Sequence, residues 1–143
     1  MEAALNQEKM IFTTFSDEEI SFALKGACDA VESRFMQFAN QFELDDGTTL
    51  CAILLMNESI YCANIGDSRA LCGGWRGTIP LSTDHKAETN QKYVEAVGGF
   101  VHPLLTKTNS FLVVSGPDRV FPGGLAVSRS IGDRNFKDEV KLR

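Results

Sequence analysis

The chain has 143 residues, of which 43% are hydrophobic, and its formal net charge is −5. This apolar content excludes a disordered chain, and the length suits one domain of ordinary size. The acidic balance argues against nucleic acid or an anionic membrane as the main partner, because both attract a basic face.

The cysteines and the start of the chain bear on metal sites and on location. Four cysteines occur without a CxxC pair, so their spacing does not fit a zinc site, and we interpret them as buried thiols. The first 15 residues lack the basic start and the apolar run of a signal peptide, and no stretch reaches the ~18 apolar residues of a membrane span. We therefore expect a cytoplasmic or nuclear location.

The clearest helix signal begins at Ser16. A serine followed three residues later by Glu19 is a capping box, and the apolar residues behind it recur at spacings of three and four. The pattern predicts one amphipathic helix over about 17–42, whereas residues 2–12 read only as the end of a shorter helix. The stripe could form an aromatic ligand-binding surface, but its spacing favours the core. It consists of Ile20, Leu24, Ala27, Val31, Phe35, Phe38 and Phe42.

A β-hairpin is predicted next. Residues 48–56 read as a nearly continuous apolar strand buried on both faces, and the reversal at 57–59 pairs it with residues 60–65. Asp45 and Asp46 precede this strand and could suggest a metal site. Before a glycine they are more typical of a solvated turn.

Further elements are predicted with weaker signals. Residues 69–72 and 78–81 form a second strand pair around a glycine-rich turn with Trp75, and a short helix over about 88–97 ends at Gly98-Gly99. A long connection then covers residues 100–118, with an added strand at 111–114. Residues 125–131 read as a short helix or turn that packs Leu125, Val127 and Ile131 inward, and Arg129 could pair with Asp133 at the surface.

Residues 60–70, reading Ile-Tyr-Cys-Ala-Asn-Ile-Gly-Asp-Ser-Arg-Ala, predict a strand that ends in an acidic turn. A carboxylate on such a turn is a good oxygen ligand for Mg²⁺ or Mn²⁺. The same pattern also fits a hairpin turn in which Asp67 makes a local hydrogen bond. Asp84 and His85 raise a further hypothesis of a general base, but no serine or cysteine nucleophile motif accompanies them.

Several short motifs occur along the chain. They are Gly47-Thr48-Thr49, Gly66-Asp67-Ser68-Arg69, Asp84-His85-Lys86, Gly98-Gly99, Arg119-Val120 and Leu125-Ala126-Val127-Ser128-Arg129-Ser130-Ile131-Gly132-Asp133. In this order they resemble the type 2C protein phosphatases, the metal-dependent serine/threonine phosphatases, over roughly residues 16–137.

The resemblance implies an α+β fold. It implies part of a helix-flanked β-sandwich with αββα layers, incomplete in this chain, so that residues 1–143 form a single partial phosphatase-like domain. Its parts are a long helix at 16–43, antiparallel strands at 48–81 and a flap-like connection at 100–123.

The resemblance also implies a function. Proteins of this family hydrolyse phosphoserine and phosphothreonine in phosphoproteins through a metal-activated water and use Mg²⁺ or Mn²⁺. Asp67 matches the family's ligand for an additional metal, and no catalytic residue is present in this segment. The matching framework residues are Gly66, Ser68, Arg69, Asp84, His85, Lys86, Arg119, Ser128, Arg129, Gly132 and Asp133.

Other family segments do not occur in residues 1–143: an upstream Asp-Gly-His-Gly-Gly, and downstream Asp-Gly-x-x-Asp and Asp-Asn segments. The chain thus resembles the middle of a catalytic domain. We expect it to be inactive when isolated, with uncovered strands that favour self-association. The alternative is a catalytically inactive phosphatase-like interaction or regulatory module. An unrelated small α+β interaction domain has no motif in its favour.

Overall fold

The computed structural model describes residues 14–56 and 58–139, so the predicted helix end at 2–12 lies outside the described residues. The elements are α1 (Asp17–Phe42), β1 (Gly47–Thr48), β2 (Leu50–Met56), β3 (Ser59–Ile65), β4 (Leu71–Gly74), β5 (Gly77–Pro80), α2 (Gln91–Ala96), β6 (Phe100–Lys107), β7 (Leu112–Phe121), β8 (Ile131–Gly132) and α3 (Arg134–Glu139).

The strands form antiparallel pairs, β1 with β8, β2 with β3, β4 with β5 and β6 with β7. Helices and antiparallel strands together confirm the α+β class. Within the described residues the pairs do not join into larger sheets, so the sandwich layering stays a prediction.

Helix α1 confirms the predicted span of 17–42. Ser16 Oγ accepts the N–H of Glu19 at 3.2 Å, and the Glu19 carboxylate accepts the N–H of Ser16 at 2.8 Å, which completes the capping box. At the other end, Glu43 takes a left-handed conformation with φ 54° and donates its N–H to Ala39 O. The capping box therefore starts the helix as expected, whereas the sequence analysis had no signal for the left-handed Glu43 that ends it.

The apolar stripe of α1 is only partly covered. Ile20 and Ala39 are buried, whereas Phe38 is 50% exposed and contacts the ring of Phe42, with ring centroids 4.5 Å apart. The prediction that Phe38 is a core residue is therefore wrong in this structure, because β3, β8 and α3 contact only part of the helix. Phe35 is half-buried.

The β2–β3 hairpin is confirmed, with register from Leu50 opposite Ile65 to Met56 opposite Ser59. The prediction that its first strand is buried on both faces is wrong, since Leu55 is 71% exposed. Alternate side chains point to opposite faces of a strand. The face that carries Tyr61 lies toward α1, where the Tyr61 hydroxyl bonds the Asp17 carboxylate, and no second layer among the described residues covers the other face.

The cysteines follow the same exposure. All four are free; Cys51 is exposed, and Cys28, Cys62 and Cys72 are half-buried. The pKa of the Cys62 thiol is raised, mainly by burial and then by the neighbouring Cys51. The interpretation of all four as buried thiols is therefore wrong, because the strands that carry three of them are covered incompletely.

The second hairpin has a tighter turn than predicted, because β4 begins and ends two residues after the predicted bounds of 69–72 and β5 begins one residue before the predicted start at 78. Gly73 and Gly74 belong to β4, and the turn consists of Trp75 and Arg76. Trp75 is 88% exposed, with the Arg76 guanidinium 4.4 Å from its ring centroid. Trp75 is a turn residue, as predicted.

The connection after α2 is more ordered than expected. Strands β6 and β7 form a long hairpin with a register shift between Pro103 and Leu104, where a mostly irregular connection was predicted. Its outer part is open to solvent, with Phe111 75% exposed. Helix α2 is also shorter than the predicted 88–97.

A small core lies where α2, the base of the β6–β7 hairpin and α3 meet. Ala87, Val94, Val120 and Phe136 are buried there. Residues 125–131 do not form the helix that was one of the two predictions: Leu125 bridges Val120, Val127 bridges Lys86, and buried Ile131 begins β8.

The part of the chain that the structure describes contains no helix that is both long and apolar enough to cross a membrane.

Candidate functional site

The acidic turn after β3 is built around Gly66, which is buried and has φ 94°. A side chain at this position would collide with Thr49, and left-handed angles favour glycine. The next residue, Asp67, is exposed. The turn therefore presents a carboxylate to solvent from a tightly held backbone.

Hydrogen bonds from neighbouring side chains hold this turn on both sides. The hydroxyls of Ser68 and Thr49 lie 2.6 Å apart. Asn64 donates its amide N–H groups to Gly66 O at 3.2 Å and to Thr83 O at 3.0 Å, and its buried Oδ1 has no partner among the described residues. The sequence places Thr49 only within the predicted strand over 48–56 and gives no signal of its contact with Ser68.

Arg69 and Asp84 form a bidentate ion pair next to the turn. Arg69 Nε lies 2.9 Å from Asp84 Oδ1, and Arg69 Nη2 lies 2.6 Å from Asp84 Oδ2. The hydrogen bonds from Arg69 hold the pKa of the Asp84 carboxyl below its usual range, and Lys86, with its ammonium 3.7 Å away, adds to this effect. The Asp84 carboxylate is thus paired with the Arg69 guanidinium and the Lys86 ammonium.

His85 forms hydrogen bonds with Gly66 rather than with Asp84. Its backbone N–H donates to Gly66 O at 2.9 Å, and its Nδ1 accepts the Gly66 N–H at 3.2 Å. Burial, and then the nearby Arg129 charge, lower the pKa of His85 below its ordinary value, which favours the neutral ring. The Asp84–His85 pair therefore does not have the arrangement of a general base and its orienting carboxylate.

Ser128 joins this group from the later part of the chain. It is buried, donates both its N–H and its hydroxyl to His85 O at 2.8 Å and 3.1 Å, and accepts a hydrogen bond from Asn90 at 2.7 Å. Beside it, the Arg129 guanidinium lies 5.1 Å from the ring centroid of Tyr93.

The remaining framework residues lie apart from this group. Arg119 donates to Gly124 O at 2.8 Å and holds the loop after β7. Gly132 pairs with Gly47 in the β1–β8 sheet, and the N–H of Asp133 donates to Asp46 O at 2.8 Å. Asp133 thus lies beside the residues that precede β1. The predicted Arg129–Asp133 ion pair is not among the ion pairs of the described residues.

The structure therefore brings four of the sequence segments together: Thr49 of the first segment, the turn at 66–69, residues 84–86 and residues 128–129. The metal chemistry suggested by Asp67 can be tested against this arrangement. Among the described residues, no three His, Cys, Asp or Glu side chains lie together as a metal site. The donors fit one carboxylate ligand at Asp67 and do not fit a complete metal centre.

The sequence profile of the Protein phosphatase 2C family matches residues 4–142. The chain belongs to this family. A probable protein phosphatase 2C of Caenorhabditis elegans is 33% identical over 77% of this chain and 29% of its own length. Protein phosphatase 2C homolog 2 of Hypocrea jecorina is 32% identical over 90% of this chain and 26% of its own. Probable protein phosphatase 2C 41 of Oryza sativa is 33% identical over 96% of this chain and 43% of its own.

The resemblance inferred from the motifs is thus confirmed for the protein phosphatase 2C family. The chain spans about a quarter to a third of the first relatives that it matches. The segments that meet around His85 all lie within the matched range.

Proposed function

We propose that this chain forms a central part of the catalytic domain of a Mg²⁺- or Mn²⁺-dependent protein serine/threonine phosphatase. The reaction is the hydrolysis of phosphoserine and phosphothreonine in phosphoprotein substrates, in which bound metal lowers the pKa of a water. The observation that carries the proposal is the Gly66–Asp67 turn, whose backbone is buried while its carboxylate is exposed, in a chain of the protein phosphatase 2C family.

Asp67 is the proposed metal ligand. Mg²⁺ is commonly bound by one or two protein carboxylates and keeps several waters, which suits an exposed carboxylate on a fixed turn. A metal centre that supports hydrolysis needs further carboxylates, and we propose that these come from parts of a type 2C domain outside the matched segment. The framework residues beside the turn, within 66–69, 84–86 and 128–129, support Asp67 through their hydrogen bonds and ion pairs rather than through metal contacts, whereas Arg119, Gly132 and Asp133 lie elsewhere in the fold.

The proposal includes the domain organisation. Residues 1–143 form one partial domain in which the helix at 16–43 and the strands at 48–81 belong to a helix-flanked sandwich, and residues 100–123 act as a flap. The exposed face of the β2–β3 hairpin, with Ile53 45%, Leu55 71% and Ile60 47% exposed, supports a missing layer. Without such a layer, the same apolar face favours self-association.

A chimera tests the function. Residues 16–137 replace the matching segment of the Hypocrea jecorina relative, and phosphate release from phosphoserine and phosphothreonine peptides is followed against Mg²⁺ and Mn²⁺ concentration. The unmodified relative is the positive control, and circular dichroism establishes that each chimera is folded. We expect metal-dependent release from the chimera.

Variants of the chimera test the site. Asp67→Ala should lower the activity and raise the metal concentration that it requires, and Asp67→Asn should remove the charge with little change in shape. Glu88→Ala, at an exposed carboxylate elsewhere, is the matched control. A folded chimera that is inactive at every metal concentration, beside an active relative, would favour the inactive interaction or regulatory module. Equal activity of the Asp67→Ala and unmodified chimeras would refute the assignment of Asp67.

A further inference from the structure

Gly66 and His85 exchange hydrogen bonds in an unusual way. In an ordinary antiparallel pair, each residue donates its N–H to the carbonyl of the other. His85 donates its N–H to Gly66 O in this manner, at 2.9 Å. The Gly66 N–H, however, goes to the His85 side-chain Nδ1, at 3.2 Å. The imidazole nitrogen takes the place of a backbone carbonyl.

This substitution leaves the carbonyl of His85 available to another partner. The His85 carbonyl accepts from the N–H of Ser128 at 2.8 Å and from the Ser128 hydroxyl at 3.1 Å. Residue 85 thus lies between the turn at 66 and the segment at 128 and bonds to both. Without an acceptor on its side chain, residue 85 would keep these backbone bonds but would leave the Gly66 N–H without this partner.

The same bonds fix the backbone on both sides of Gly66. The peptide group before its Cα carries the N–H bonded to Nδ1, and the peptide group after it carries the carbonyl bonded to the His85 N–H. That second peptide group leads directly into Asp67. Because Gly66 is buried, its N–H would be left unsatisfied if Nδ1 were removed, which is costly.

We propose that His85 is a positioning residue for Asp67: its Nδ1 holds the Gly66 N–H and sets the direction in which the turn presents the Asp67 carboxylate. Accepting this bond requires the tautomer with the proton on Nε2. The role as a positioning residue in a phosphatase rests on the proposed function, whereas the hydrogen bond and its effect on the turn do not.

The test is a matched pair of substitutions in the 143-residue chain. His85→Asn keeps an acceptor at the place of Nδ1, because the Asn Oδ1 occupies a similar position. His85→Leu has nearly the same shape without an acceptor. His102→Leu, at the exposed histidine of β6, is the control. Nuclear magnetic resonance gives the His85 tautomer, the exchange rate of the Gly66 amide and the chemical shifts of Asp67.

We expect the Nε2–H tautomer in the parent chain. His85→Leu should speed exchange of the Gly66 amide by about tenfold or more and shift the Asp67 signals, because the amide loses its acceptor. His85→Asn should restore most of both, and His102→Leu should change neither. Three results would overturn the proposal. The first is an Nδ1–H tautomer of His85 in the parent chain, and the second is an unchanged exchange rate of the Gly66 amide in His85→Leu. The third is a failure of His85→Asn to restore the slow exchange of this amide, which includes unfolding of both variants.

The same variants in the chimera separate this proposal from the function. His85→Leu should raise the metal concentration needed for activity, and His85→Asn should restore it. If the unmodified chimera is inactive, the proposed function fails, while the tautomer and the Gly66 amide still decide whether His85 holds the turn.

Discussion

The Glu32 carboxylate in the middle of α1 accepts the backbone N–H of Gly132 at 2.9 Å, across 100 residues of sequence. Its other oxygen lies 2.6 Å from Lys137 Nζ, which also donates to Ser130 O at 2.8 Å. The Lys137 side chain is only 10% exposed. Glu32 therefore ties the first helix to the end of the matched segment.

Removal of this carboxylate should destabilise the chain. Glu32→Ala leaves the Gly132 N–H without its acceptor and the nearly buried Lys137 ammonium with Ser130 O but without its carboxylate, and we expect a loss of about 1.5–3 kcal/mol in the free energy of unfolding. Glu32→Gln keeps one acceptor and should lose less. Urea unfolding measures the difference, with exposed Glu18→Gln as the control. Equal stability of Glu32→Ala and the parent chain would show that this link is not significant.

Gly132 should tolerate no side chain. Its φ is 80°, and an added Cβ would collide with Asp46 O and lie 2.6 Å from Phe35 Cε1. Both the backbone angle and the contact oppose Gly132→Ala, so we expect it to lower the free energy of unfolding by more than about 1 kcal/mol.

Gly26 in α1 offers a matched control for that substitution. Nothing lies within 4 Å of a Cβ at this position. Gly26→Ala should therefore stabilise the chain by about 0.5–1 kcal/mol, since glycine is unfavourable inside a helix. Opposite signs for the two glycines, measured by the same thermal or urea unfolding, are the expected result; the same sign would contradict the described packing.

Phe35 and Phe38 should differ, although the sequence pattern treats them alike. Phe35 is half-buried beside Gly132, whereas Phe38 is 50% exposed. We expect Phe35→Ala to lower the free energy of unfolding by about 1–3 kcal/mol, less than a fully buried phenylalanine, and Phe38→Ala to have the smaller effect. A larger loss for Phe38→Ala would indicate that self-association or another contact covers its ring.

The stability of the chain should depend on the protonation of His85. Its pKa in the folded chain lies below the ordinary value of 6.5, chiefly because the ring is partly buried. As pH falls below about 7, the unfolded chain takes up this proton first, so the free energy of unfolding should decrease until the pH passes the folded pKa.

His85→Asn removes this titrating group and should flatten the decrease. Urea midpoints between pH 7.5 and pH 5.5 measure the difference, since carboxyl groups titrate mainly below this range. If the urea midpoints of the parent chain and of His85→Asn decrease in parallel with pH, the protonation of His85 does not cause the decrease.

Elements with local signals could be predicted from the sequence. The start of α1 follows from the Ser16–Glu19 capping box, and the β2–β3 hairpin follows from a reversal between two apolar runs. Both features are set by neighbouring residues. The β6–β7 hairpin lacked such a signal, because Pro103 and the Gly116-Pro117 pair interrupt its strands.

The arrangement around the candidate site could be predicted only in part. The order of the motifs indicated the family, and Asp67 was expected on an exposed turn. The bonds of His85 to residues 66 and 128 depend on contacts distant in sequence, and a histidine beside Asp84 gave no sign that its Nδ1 would face a glycine amide. The exposure of Leu55 likewise depends on what covers the hairpin rather than on its own pattern.

The most direct test of the account is phosphate release by the purified 143-residue chain. Among the described residues only Asp67 is proposed to bind metal, and a metal held by one carboxylate and water differs little from a hydrated ion. We therefore predict no hydrolysis of phosphoserine or phosphothreonine peptides that depends on added Mg²⁺ or Mn²⁺, under conditions in which a type 2C relative is active. Metal-stimulated release that Asp67→Ala abolishes would contradict the account and would show that residues assigned here to the framework, Asp84 and Asp133 first, complete a metal centre.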